Sequence, residues 1–376
     1  AQAPCRALHP STIAPMPRPR ATSSPSTPPA LHAPQGPLGL LERPRRFTPL
    51  RLFVQVVGFA LGLALLAWCA SLAFSPDTRA ELQRLRDADA SLIAGLFLLT
   101  AVSAAINGFG FWITSRPLHP LRFSDVVAVN TLASFLAYLP FKLGALVRVA
   151  IHRKRDHMLF RDLIAWLAAF SAISLATFLP LITATLIHPT IDLVWALLAL
   201  LGIATCLALG VLLSRRARTT PWLARLSLGA WRVAQHPKTA AALSIAKVAD
   251  IGVHAARFAI AAHIFGAPLP AARAALYAVA YFLIGSVSPV GMLGLREAGI
   301  VFLPADASAE TMARLVLTLS ATEAIALAAL APITLLWLGP RSVLGRRRPS
   351  TTPPDAPQTS TSAPDAASDR PASTPS

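Results

Sequence analysis

The chain has 376 residues, of which 54% are hydrophobic and only 14% charged, with a mean hydropathy of +0.56; a soluble globular domain does not have this balance. The formal charge is +17, but the Lys and Arg residues sit in short loops between apolar spans, which argues for cytoplasmic loops and against a nucleic-acid partner. The three cysteines, Cys5, Cys69 and Cys206, are scattered without disulfide or metal spacing, so no metal or other cofactor is expected.

The first 50 residues hold 12 prolines and cannot bury a core, so residues 1–50 are expected to be a disordered cytoplasmic tail. Eight apolar elements follow within a transmembrane domain expected over 51–338: residues 52–74, 92–114, 126–147, 163–187, 193–213, 241–265, 274–303 and 315–338. Residues 339–376, rich in Ser, Thr, Pro and Ala, are expected to form a second disordered tail. The windows 52–74, 163–187 and 193–213 carry no charge over about 20 residues, which at 1.5 Å per helical residue matches a hydrocarbon core of ~30 Å.

Loop charge decides which elements cross. The N-terminal flank up to Arg51 has seven Arg and one acid, and residues 214–240 have six Lys or Arg and no acid, so both belong in the cytoplasm. Eight full crossings would put the basic cluster Arg148 to Arg161 and the 214–240 loop outside. If the third and seventh elements instead dip in and return, every basic loop falls inside. Pro140 splits the third element, and Pro289 with Gly291 and Gly294 splits the seventh, leaving pieces about half a bilayer long.

The expected fold is therefore an all-α integral membrane protein with about six transmembrane helices and two re-entrant helical hairpins of opposite orientation, an inverted repeat. In that architecture the substrate site lies near the midplane, where the broken helices meet. Both termini are expected in the cytoplasm.

Candidate site residues lie on the broken elements and on the most polar span. In LPFKLGALVR, Pro140 and Gly144 mark a half-helix start, and Lys142 and Arg148 follow as candidates for an anionic headgroup, or as cations snorkelling to the interface. In GSVSPVGMLGLRE, Ser288, Pro289, Gly291 and Gly294 break the helix ahead of Arg296 and Glu297. Isolated charges at that depth cost at least ~2.5 kcal/mol each, so this pair either binds a headgroup or locks the hairpin as an ion pair. The span 241–265 carries Lys247, Asp250, His254 and Arg257 at offsets 0, 3, 7 and 10, which fall within about 80° of helical arc and so form one inward stripe. Glu323 lies inside the last span, and Asn107 and Asn130 add polar points. Asp250, His254, Arg257 and Glu323 are candidates for a proton path or for mutual neutralisation.

There is no Gly-rich P-loop, HExxH, CxxC or GxSxG motif, and no enzymatic activity is expected. His152 and His157 lack acidic or Cys companions for a metal.

The segments NTLASFLAYLPFKLGALVRVAIHRK and LIGSVSPVGMLGLREAGIVFL resemble the two signature regions of the lysylphosphatidylglycerol synthase transmembrane region, also described as flippase-like integral membrane proteins. The resemblance covers most of residues 52–338. Pro140, Gly144 and Arg148 match the first signature, with Lys142 in place of Arg and Ala145 in place of Glu. Ser288, Pro289, Gly291, Gly294 and Glu297 match the second, with one extra residue between the glycines. The resemblance implies a stand-alone membrane module without the catalytic domain, which moves an anionic phospholipid or lipid-linked molecule between the leaflets of a bacterial inner membrane. The expected partners are membrane lipids and an envelope-synthesis enzyme. The competing readings are a small-solute transporter and a non-transporting accessory subunit of envelope lipid or glycan synthesis.

Overall fold

The computed structural model describes residues 49–73, 83, 86–139, 143–287, 294–303 and 308–339, all within the unit Phe47–Ser376. Both expected tails beyond these limits, together with Pro140, Lys142, Ser288, Pro289 and Gly291, lie outside the described residues. Twelve helices and no strand occur among the described residues: α1 (Pro49–Ala73), α2 (Ala90–Ser115), α3 (Phe123–Leu136), α4 (Leu143–Lys154), α5 (Phe160–Ile187), α6 (Leu193–Ala217), α7 (Pro221–Leu226), α8 (Trp231–Ala234), α9 (Pro237–Ile264), α10 (Ala271–Val287), α11 (Leu295–Val301) and α12 (Ala309–Leu338).

Five of these contain stretches long and apolar enough to cross a membrane: Val56–Ala73 in α1, and all of α2, α5, α6 and α12. With 28 residues, α9 is about 42 Å long at 1.5 Å per residue. It falls outside that group through composition, because it carries Lys238, Lys247, Asp250 and Arg257. The expected third element is divided into α3 and α4, and the expected seventh into α10 and α11.

Helix ends follow local chemistry. Asp89, Asp192 and Ser308 accept hydrogen bonds from the first-turn amides of Ser91, Trp195 and Thr311, which starts α2, α6 and α12. The Trp195 amide, with the His188 ring, holds the Asp192 carboxyl down to about 2, so this cap is intact at neutral pH and is lost as pH falls through that value. Pro221 and Pro237 occupy the first turns of α7 and α9, where a missing N–H costs nothing.

The helices pack as two related sets. The first comprises α2, α3 with α4, and α5; the second comprises α9, α10 with α11, and α12. The leading helices α2 and α9 pack on each other. The short helix α3 packs on α12, and its counterpart α10 packs on α5. Likewise α9 touches α5 while α2 touches α12, and the remaining helices α6 and α1 cover α5 and α12 respectively. Exchanging the two sets maps each of these contacts onto another.

Exposed apolar surface lies on the outer helices. In α6, Leu193, Leu200 and Leu201 are exposed, as are Phe53 and Leu61 in α1. The main apolar core instead gathers Phe258, Tyr277, Met312 and Leu315 from α9, α10 and α12.

Two glycines set the closest approaches. A Cβ at Gly144 would overlap the Ala133 carbonyl oxygen, so α4 begins directly against the end of α3. Gly294 has φ +82°, and a Cβ there would overlap the Gly62 carbonyl oxygen of α1. Gly294→Ala therefore meets both a clash and a backbone conformation that costs about 1–3 kcal/mol. Thermal unfolding in detergent should show a lowered midpoint for Gly294→Ala and Gly144→Ala, and no change for Gly210→Ala, where nothing lies within 4 Å.

Candidate functional site

The inward stripe expected on the polar span is present on α9. Lys247, Asp250, His254 and Arg257 are each no more than 4% exposed. Around Asp250 the carboxylate is fully engaged: Ser103 Oγ donates to Oδ1 and Asn107 Nδ2 to Oδ2, both at 2.6 Å. Lys247 Nζ lies 3.6 Å from the same carboxylate and donates to Asn107 Oδ1 at 2.5 Å. Asn107 thus bridges the lysine and the aspartate, with its amide orientation fixed at both ends. The Lys247 ammonium also lies over the Phe170 ring, 4.7 Å from its centroid.

One turn further along, Arg257 Nη1 lies 3.1 Å from His254 Nε2. A guanidinium can only donate, so Nε2 accepts and the ring proton resides on Nδ1, which faces the Asp250 carbonyl oxygen at 3.2 Å. His254 is therefore held as the neutral imidazole. Arg257 also donates to the Leu319 carbonyl at 3.0 Å and pairs with Glu323 at 3.5 Å.

The second cluster forms where α11 meets α12. Glu297 Oε2 accepts the Gly294 amide at 2.6 Å, which caps the seven-residue helix α11. Its Oε1 accepts from Ser320 Oγ at 2.5 Å and lies 3.4 Å from Arg296 Nη2. Arg296 in turn contacts Glu323 at 3.5 Å, the Tyr138 hydroxyl at 3.0 Å, and the face of Tyr281 at 3.8 Å from the ring centroid. Tyr281 donates to Glu323 at 3.0 Å. Placed between two guanidiniums and a phenol, Glu323 has the environment of an ionised carboxylate rather than of a neutral acid.

A cavity of about 510 Å³ lies between these clusters. Lys247, His254, Arg257, Arg296, Glu323 and Arg148 all reach its wall. Arg148 on α4 differs from the other cations. Its Nη2 donates to Asn130 Oδ1 at 2.6 Å and its guanidinium lies 3.8 Å from the Phe111 ring centroid. No carboxylate among the described residues pairs with it; its Nε is buried without a partner, as are those of Arg257 and Arg296. Ser174 Oγ, also on the wall and 7% exposed, is likewise unpartnered. The wall also includes exposed Ser171 and Leu175 of α5 and exposed Ala145 of α4, so the cavity reaches the surface between those helices. Leu175 lies near the middle of 28-residue α5, which places this mouth at mid-helix depth.

The structure thus brings Arg148, Asp250, His254, Arg257, Arg296, Glu297 and Glu323 into one connected region. Glu297 does not line the cavity, because both of its oxygens are engaged by α11 and α12. Gly144 lines it, and Gly294 sits away from it against α1. Sequence reasoning did not single out Tyr138, Tyr281 and Ser174. The three tyrosines of the chain are 138, 277 and 281, and their scarcity beside a helix break was the available signal. Nothing in the sequence marks Ser174 among its neighbouring serines and threonines. Among the described residues no group of three His, Cys, Asp or Glu could hold a metal.

Removing one partner of a buried ion pair leaves an uncompensated charge, at a cost of about 3–5 kcal/mol. Glu297→Ala, which also uncaps α11, should lower the thermal midpoint in detergent sharply. Arg148→Gln removes no ion-pair partner and should leave that midpoint within a few degrees of the parent.

The family model for the lysylphosphatidylglycerol synthase TM region matches residues 55–331, from α1 into α12. No curated protein and no solved structure matches the chain significantly. By this match the chain belongs to the lysylphosphatidylglycerol synthase TM region family and is a polytopic membrane protein of lipid-related function.

Proposed function

We propose that the protein translocates an anionic phospholipid or lipid-linked molecule between leaflets, with the headgroup passing through the polar cavity while the acyl chains remain in lipid. The observation that carries this reading is a cationic cavity among apolar helices, open between α4 and α5 at mid-helix depth. At about 510 Å³ it has the volume of a site for a compact polar group. Acyl chains can leave through the mouth beside Leu175.

In this reading α9 is a sixth span, its charges tolerated because they face protein and cavity rather than lipid. The pairs α3 with α4 and α10 with α11 are re-entrant hairpins entering from opposite faces. The lengths of α3 and α4, 14 and 12 residues, are each close to half a bilayer, and the reciprocal packing of the two sets fits an inverted repeat. In this reading both termini lie in the cytoplasm, the side that the loop charge favours, and the protein sits in a bacterial inner membrane. The activity is transport and needs no bond to be made or broken.

The polar network supplies the rigidity such a site requires. Asn107 and Asp250 fix Lys247, and Glu323 holds Arg257 and Arg296 in place. Among the described residues Arg148, without a carboxylate, is the cation available to a phosphate.

The test is a vesicle assay with purified protein and a fluorescent phosphatidylglycerol whose inner-leaflet fraction is protected from an external quencher. Protein-containing vesicles should expose this lipid much faster than empty vesicles, and Arg148→Gln should slow the exchange at least tenfold. Exchange no faster than in empty vesicles would refute the proposal.

A further inference from the structure

The proposed function leaves the chemistry of the headgroup open, and the charge balance of the cavity narrows it. Among the described residues, four cations reach the cavity wall, Lys247, Arg148, Arg257 and Arg296, and three carboxylates pair with them, Asp250 and Glu297 from behind the wall and Glu323 on it. His254 is neutral by its hydrogen bonds. Among these described residues one positive charge is left over, and it belongs to Arg148.

The other three cations are committed. Lys247 is held by Asn107 and Asp250, Arg257 by His254, Leu319 and Glu323, and Arg296 by Glu297, Glu323, Tyr138 and Ser320. A ligand anion seated on Arg296 would have to compete with two carboxylates already within 3.5 Å. Arg148 offers a guanidinium oriented by Asn130 and Phe111 and engaged by no carboxylate among the described residues. Ser174, more than nine-tenths buried on the same wall, offers a hydroxyl with no partner.

Resting on the translocase reading, we infer that the cavity selects a headgroup with a single net negative charge, a phosphodiester whose remaining substituent is polar and uncharged, with Arg148 as its phosphate contact. Ser174 is a second donor in the same cavity. A zwitterionic headgroup would leave the surplus charge uncompensated overall, and a headgroup esterified with a basic amino acid would add to it. A diphosphate would overshoot in the other direction. Uncompensated charge of either sign is penalised in a low-dielectric site. Aromatic faces at Phe111, Phe170 and Phe282 already carry cations, so the wall offers little to an incoming ammonium group.

The experiment measures binding to the full-length protein in detergent by native mass spectrometry, with matched short-chain lipids. The series comprises phosphatidylglycerol, phosphatidylcholine, lysylphosphatidylglycerol and a lipid diphosphate. Glycerol 3-phosphate and inorganic phosphate serve as free-headgroup arms. Phosphatidylglycerol is expected to bind at least tenfold more tightly than each other lipid, and more tightly than the free phosphates. Arg148→Gln should remove that preference, Arg148→Lys should keep it with weaker binding, and Ser174→Ala should weaken binding by about threefold. Equal binding across the wild-type lipid series would overturn the inference without recourse to any variant, and so would a preference that survives Arg148→Gln. Tighter binding of free phosphate than of lipid would overturn it as well. Because binding is read without flux, Arg148-dependent selectivity without translocation would refute the translocase reading alone. Translocation indifferent to headgroup charge would refute this inference alone.

Discussion

Everything in this protein depends on the cost of carrying charge inside an apolar bundle. Lys247, Asp250, His254 and Arg257 lie on one stripe of α9, and none is more than 4% exposed. Such a stripe cannot face hydrocarbon. The surrounding helices therefore supply matching groups: Ser103 and Asn107 from α2, and Leu319 and Glu323 from α12. The requirement that each charge find a partner fixes the rotation of α9 about its axis and, through it, the faces that α2 and α12 turn inward.

The same constraint explains the short helices. Breaking an element into α10 and α11 leaves unpaired backbone amides at the new helix start, and Glu297 reaches back to the Gly294 amide to satisfy one of them. Its other oxygen joins Ser320 and Arg296, so a local cap is also the anchor of a buried network that extends through Tyr138 to the end of α3. Fold stability and site geometry share these residues. Arg148 stands apart because its neighbours are an amide and an aromatic ring rather than an acid.

The sequence carried the membrane character, the division of the third and seventh elements, and the inward stripe of α9, because each of these follows from composition, from helix-breaking residues or from helical periodicity. The Arg296 and Glu297 pair was legible as an anomaly, with ligand binding the preferred reading and a structural lock its rival. Tyr138, Tyr281 and Ser174 were not legible. A tyrosine or serine in an apolar helix is ordinary, and its role depends on which residue of a distant helix lies opposite. The expected headgroup residue Lys142 and the breakers Pro140, Ser288, Pro289 and Gly291 fall outside the described residues.

By itself the sequence determined that the chain is a bundle of apolar helices with interrupted segments and buried charge, since hydropathy, proline placement and periodicity are local properties. The tertiary structure decided which charges cancel. Asp250 lies 143 positions from Asn107, and Arg296 lies 158 from Tyr138. Pairings across such distances depend on how helices pack, and no local pattern encodes them. That Arg148 is left over, while Arg296 is committed to Glu297 and Glu323, is a result of this packing alone.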